Sequence, residues 1–281
     1  MYTRRHLGKL GLALLAPDVL AKLVNRVSGV WIGLQGWSFR DRSLDAAIEA
    51  TKEVGLGSWE LGFNHLEPAG VSRQELRKWR ETVPLEEFRN VRRKFDANGM
   101  VITGYSYGFR KDYSEQEIAR GFEMAGALGV KVLTTTTVVS MAPELDRHAA
   151  RAKIRVGLHN HSRIQPDEVA TPDDFAKALD GASPYMGINL DVGHFCAAGF
   201  DAVPFIQQHH QRIWSLHLKD RKKNQGADCL FGEGDTPVRE ILLLLKKDKF
   251  DIPSMIEWEP KEGDKVAAIR QCLDYCRKVL G

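Results

Sequence analysis

The residues of this chain suited to chemistry on a small molecule recur where short apolar runs stop. Trp59-Glu60-Leu61-Gly62, Leu158-His159-Asn160-His161, Asn189-Leu190-Asp191-Val192-Gly193-His194, Leu216-His217-Leu218-Lys219-Asp220 and Ile256-Glu257-Trp258-Glu259 each end in imidazole, carboxylate or ammonium groups. Alternate side chains of an extended segment share a face, so His159 goes with His161, His217 with Lys219 and Glu257 with Glu259. A single histidine at such a place is more often structural than a ligand, but ligand-type residues at four separate ends point to a built site. If His159, Asp191, His217 and Glu257 converge, two imidazoles and two carboxylates surround one point, a donor set for a divalent ion such as Mn²⁺ (the favoured one), Zn²⁺, Co²⁺ or Mg²⁺. That set leaves positions for vicinal substrate oxygens, so an ion there polarises a carbonyl and steadies the enediolate formed when a neighbouring C–H loses its proton. Glu257 is the expected base, since a carboxylate can hold the ion with one oxygen and take the proton with the other. Glu60, His161, His194 and Lys219 are expected around the substrate. Trp37, Phe63, Tyr105 and Tyr107 fit core packing better than a wall against a sugar ring.

These groups act together only if the chain brings the five ends to one place. Strand-like runs occur at Val30–Trp37, Ser58–Phe63, Met100–Tyr105, Lys131–Thr136, Ile154–Asn160, Met186–Asp191, Ile213–Leu218 and Ser254–Trp258. Helical stretches lie between them, announced by Ser43, the capping box from Ser114 to Glu117, Thr171 with Pro172, and Thr236 with Pro237. Repeated βα units predict a parallel sheet, and eight units of roughly 30 residues suit one closed (β/α)₈ barrel, whose active groups stand at the C-terminal strand ends. A Rossmann sheet shares the alternation, but no glycine-rich phosphate loop follows any run. Two stretches look irregular: Asn64 to Pro84 is a long excursion after strand two, and Pro143 to Lys153 leaves little room for a helix after strand four. Phe231-Gly232-Glu233-Gly234-Asp235 reads as a flexible loop near the mouth. Gly104-Tyr105-Ser106-Tyr107-Gly108 matches the nucleophile elbow of hydrolases, yet that elbow needs a helix starting at the serine, and Phe109 to Tyr113 intervene before the next capping box.

With 281 residues, 43% hydrophobic and 27% charged, the composition is that of a globular chain able to bury a sizeable core. The formal charge is only +3 and the basic residues are scattered, which argues against a nucleic-acid partner. No apolar run reaches the ~20 residues of a membrane helix. The four cysteines form no metal or disulfide pattern; Cys272 and Cys276, four apart on a helix, read as small buried groups. Thr3-Arg4-Arg5-His6-Leu7-Gly8-Lys9, the apolar stretch Leu10 to Ala16 and a candidate cleavage site at Val19-Leu20-Ala21 look like a twin-arginine export signal. Residues 1–29 are therefore expected to be a leader directing the protein to the periplasm, with residues 30–281 forming the barrel. The alternative is an amphipathic helix from Leu10 to Val27 on a cytoplasmic protein.

Taken in order, Ile32-Gly33-Leu34-Gln35-Gly36-Trp37-Ser38-Phe39-Arg40, the five strand ends and Phe231-Gly232-Glu233-Gly234 resemble the xylose isomerase-like TIM barrel superfamily, the sugar phosphate isomerase/epimerase group. The resemblance runs from about Val30 onward. It implies a metal bound by strands five to eight, which carries over to His159, Asp191, His217 and Glu257. The family places Glu at the first of these positions, and its ketose 3-epimerases use the strand-five and strand-eight glutamates as a facing acid/base pair. Only Glu257 is present here, with His159 or His161 as the second proton relay. The resemblance thus implies a metal-dependent sugar isomerase or epimerase, and a homo-oligomer is a further expectation. The alternatives are a dehydratase of keto-sugars or cyclitols like inosose dehydratase, and a barrel that binds carbohydrate without turning it over. Endonuclease IV shares the superfamily but needs a trinuclear zinc cluster with more histidine ligands.

Overall fold

A computed structural model describes residues 23–281. Eight strands close a barrel: β1 Gly33–Gln35, β2 Ser58–Gly62, β3 Val101–Ser106, β4 Val132–Thr135, β5 Arg155–His159, β6 Met186–Asp191, β7 Ile213–Leu218 and β8 Ser254–Ile256. Neighbours pair in parallel around the ring, and β8 closes it on β1 through Met255 opposite Gly33 and Ile256 opposite Leu34. Helices α1 Leu44–Val54, α2 Arg73–Thr82, α3 Leu85–Ala97, α4 Glu115–Ala127, α5 Ala142–Ala152, α6 Pro172–Leu179, α7 Val192–Ala197, α8 Ala202–His209, α9 Val238–Asp248 and α10 Lys265–Leu280 wrap the outside. The expected single-domain (β/α)₈ barrel is the observed fold.

Covered on both faces, the strands are mostly buried; β2 and β6 are buried at every position. The floor of the barrel is packed so tightly that Gly33 has no room for a side chain. A Cβ there would lie 2.5 Å from Ser58 Oγ and 2.7 Å from Met255 Sδ. Cys272 and Cys276 lie fully buried on the inner face of α10, as their spacing predicts.

The helix starts follow the sequence signals. Ser114 and Glu117 form a reciprocal capping box, as do Thr171 and Asp174, and Ser43 caps α1. Three expectations need correction. The excursion after strand two holds a helix of its own, α2, started by a Ser72–Glu75 capping box. A helix also follows strand four: Pro143 falls in the first turn of α5, where its missing N–H costs nothing, and Lys153 closes the helix at φ 54°. The first and last strands are shorter than predicted, because Gly36–Phe39 turns into a 3₁₀ helix and the eighth strand stops at Ile256, one residue before Glu257.

The twin-arginine stretch and the start of the alternative Leu10 to Val27 helix lie outside the described residues. Its final residues are not helical. Val24 bridges to Leu56, and Arg26–Val27 pairs with Val30–Trp31 across a two-residue turn, Ser28 and Gly29, both at positive φ. Among the described residues no helix is long and apolar enough to cross a membrane.

Candidate active site

The polar ends of β2, β5, β6, β7 and β8 meet at the C-terminal mouth of the barrel. Asp191 ends β6, and its Oδ1 caps α7 by accepting from His194 N at 2.7 Å. From the end of β5, Asn160 fixes the same residue's backbone, accepting from Asp191 N at 2.9 Å and donating to Asp191 O at 3.1 Å. The other carboxylate oxygen, Oδ2, is left without a hydrogen-bond partner.

His217 on β7 lies between two carboxylates, with Nε2 2.9 Å from Glu60 Oε1 and Nδ1 3.1 Å from Glu257 Oε2. Burial alone would depress this imidazole, but Glu60 and Glu257 outweigh it and hold it well above its ordinary range. Glu60 is 1% exposed, and the same Oε1 also accepts from Thr134 Oγ1 at 2.7 Å and Gln35 Nε2 at 3.3 Å. Glu60, expected beside the substrate, lies beneath His217 with Oε1 at its Nε2, an arrangement typical of metal-binding histidines. Burial would raise the Glu257 carboxyl, yet Lys219 and then His217 hold it well below the usual range.

Lys219 is 1% exposed. Its Nζ lies 3.1 Å from Asp191 Oδ2, 3.1 Å from Glu257 Oε2 and 3.3 Å from Glu259 Oε2. Burial opposes the charge, but these carboxylates overcome it and keep the ammonium protonated. Its contacts to Asp191 and Glu257 lack hydrogen-bond alignment, so both oxygens remain unpartnered, as does His217 Nδ1.

His194 has a cation at each ring nitrogen, Arg221 Nη1 2.7 Å from Nδ1 and Lys219 Nζ 3.1 Å from Nε2. Burial, then Lys219, holds this ring well below its ordinary pKa, so it is neutral and has a single lone pair. Each ring nitrogen of His194 is within hydrogen-bond distance of a cationic donor.

His159 donates from Nδ1 to Asn189 Oδ1 at 2.9 Å, while the Asn189 amide donates to Ser215 Oγ at 2.6 Å. Burial and the neighbouring His217 charge push the His159 pKa well down, leaving a neutral ring with its Nε2 lone pair open. The four expected ligands do not form one group. Asp191, His217 and Glu257 offer ligand atoms all within 4.8 Å of one another, whereas His159 falls in a second group with Asp191 and His194. Three buried atoms without partners, two of them carboxylate oxygens and one an imidazole nitrogen, fit a divalent ion, which would take the place of the His217 Nδ1 proton.

A cavity of about 300 Å³ opens beside this cluster, lined by Trp37, Phe63, His159, His161, Glu257 and Glu259 among others. Trp37 and Phe63 thus face the cavity, while Tyr105 and Tyr107 are fully buried, as expected of core aromatics. Of the residues expected around the substrate, His161 lines the cavity; Glu60, Lys219 and His194 are buried behind its wall. Phe231-Gly232-Glu233-Gly234-Asp235 is tied down, contrary to the flexible loop expected. Asp220 accepts from Gly232 N at 2.8 Å, Gly234 N at 3.0 Å and Thr236 N at 3.1 Å.

Sequence reasoning missed Gln35, Thr134, Asn189 and Arg221. Asn189 and Arg221 each sit two residues from a residue it did single out, so alternation along the strand was an available signal. Gln35 and Thr134 gave none.

The profile of the xylose isomerase-like TIM barrel family matches residues 48–279. An inosose dehydratase of Mesomycoplasma hyopneumoniae is 21% identical, covering 85% of this chain and 90% of its own. The 3-keto-D-glucoside 4-epimerase YcjR of E. coli superposes with a TM-score of 0.67 at 16% identity, covering 88% of this chain and 98% of its own. The zinc-bound structure of the IolI protein gives a TM-score of 0.67 at 15% identity, covering 89% and 97%.

Proposed function

Because this chain belongs to the xylose isomerase-like TIM barrel family, we propose that it is a divalent-metal-dependent enzyme that isomerises or epimerises a sugar or keto-sugar. The observation that carries this reading is the convergence of Asp191 Oδ2, His217 Nδ1 and Glu257 Oε2, buried and without hydrogen-bond partners, beside a sugar-sized cavity. These three residues would hold the ion, and Mn²⁺ is the ion we would try first. When bound, it supplies Lewis-acid polarisation of a substrate carbonyl.

The protein groups do the rest. Glu257 lines the cavity as a carboxylate, with one oxygen toward the ion-holding set and the other free to take the proton next to the carbonyl. His159, neutral and fixed through Asn189, accepts from a substrate hydroxyl at Nε2 and can hand on only the proton it takes there, while Glu257 returns the proton it removed from carbon. His161 and Glu259 bind hydroxyls at the cavity wall, and Trp37 with Phe63 keeps water from the apolar side of the ring. Calorimetric titration with Mn²⁺ tests the ion site: Asp191→Ala and His217→Ala should each weaken binding by at least about 100-fold. Unchanged affinity in both would overturn the assignment.

A second reading, elimination of water from a keto-sugar or cyclitol, is favoured by His159 at the end of β5, where no carboxylate stands across from Glu257. Product mass separates the two, since elimination removes one water. Exchange of the substrate α-proton for solvent deuterium separates either from a barrel that only binds carbohydrate.

A further inference from the structure

We propose that Lys219 is a built-in stand-in for the divalent ion, holding the site's carboxylates together until the ion enters and then withdrawing onto Glu259. This rests on the ion site proposed above. The ammonium lies 3.1 Å from Asp191 Oδ2 and 3.1 Å from Glu257 Oε2, the same two oxygens that the ion would use. A cation held there and a divalent ion exclude each other by charge and by volume.

Three features make the place one the ammonium can leave. Neither contact is aligned as a hydrogen bond. Nζ is also 3.1 Å from His194 Nε2, a contact that offers no negative partner to hold the ammonium in place. Glu259 Oε2, already 3.3 Å from Nζ, belongs to a half-buried carboxylate on the cavity wall and is not part of the ion-holding set. Withdrawal toward Glu259 keeps Lys219 paired with a carboxylate throughout, which a buried ammonium requires. It also brings the ammonium to the cavity, where it can donate to a substrate oxygen. Lys219 therefore acts as a positioning residue in the ion-free protein.

The two residues predict opposite effects on ion binding. An ammonium that must be moved aside lowers the apparent affinity by the fraction of protein in which the place is open. Lys219→Met should therefore bind Mn²⁺ roughly tenfold tighter or more, and its ion-free form should melt earlier than wild type because the carboxylates lose their counter-charge. Glu259→Gln removes the place of withdrawal and should bind roughly tenfold more weakly. If Glu259 acts through Lys219, that loss shrinks to about twofold in the Lys219→Met background, a coupling read from the double-mutant cycle. The full chain serves for all titrations by calorimetry, with melting scans with and without Mn²⁺. Equal or weaker affinity in Lys219→Met, with wild type binding Mn²⁺ normally, overturns the exchange and leaves the ion site standing. Absence of binding in both wild type and Lys219→Met overturns the two together. Should Lys219→Met not fold, Glu259→Gln and Lys219→Arg decide. Lys219→Arg keeps the charge in a bulkier group that cannot clear the site as readily and should bind Mn²⁺ more weakly than wild type; two unchanged affinities overturn the proposal.

Discussion

Single atoms carry most of what this site can do. One oxygen of Glu60 takes donors from Thr134, Gln35 and His217, so it sets both the position and the charge of the imidazole above it. Glu60→Gln should lower stability by about 3 kcal/mol, the usual cost of breaking a buried charge pair, and weaken Mn²⁺ binding about tenfold or more through loss of the partner that orients the ligand. Denaturant midpoints and calorimetry read the two separately. The ligand-type residues were legible because strand alternation tells which side chains share a face. Access to the cavity was not: that Glu60 and Lys219 are buried behind its wall while His161 reaches it depends on how neighbouring strands pack, which no spacing within one strand encodes.

Elements fix these atoms by short, specific devices. Asp220, next to Lys219, gathers the backbone of the 232–236 segment with one carboxylate, and the packing at Gly234 is tight enough that a Cβ there would lie 1.9 Å from Asp220 Oδ1. Asp220→Ala leaves these amides unpaired. The expected outcome is a loss of about 1–3 kcal/mol together with faster proteolytic cutting at Lys222 and Lys223; an unchanged cutting rate would show that the segment is held by other contacts. At the floor, Gly33→Val should cost about 1–3 kcal/mol by overpacking, measured by thermal melting, with the mouth unaffected. The helix starts were readable because caps are local chemistry. The helix after strand four was not, because Pro143 reads as a breaker unless its position within the first turn is known, and the early stop of the last strand comes from pairing geometry that only the closed ring imposes.

At the scale of the whole molecule, burial of a histidine ties folding to pH. His65, tilted against Trp59 and 2.9 Å from Gly36 O, is a clear case outside the ion-holding set: burial pulls its pKa below the ordinary value of 6.5 despite the hydrogen bond to Gly36. The unfolded chain takes up a proton near pH 6.5 that the native ring refuses, so stability is present above that pH and is lost as pH falls below it. His65→Gln should flatten the decline in melting temperature between pH 7 and pH 5 relative to wild type. The eight-unit count was the most legible feature of all, since repeated βα units admit few closed arrangements. The ring shuts where β8 meets β1, through Met255 and Ile256 against Gly33 and Leu34, and Glu257 is the next residue along. During synthesis Asp191 and His217 leave the ribosome well before residues 254–257, so Glu257 is delivered last, by the same pairing that seals the wall. A growing chain therefore completes this cluster only at the moment its wall closes.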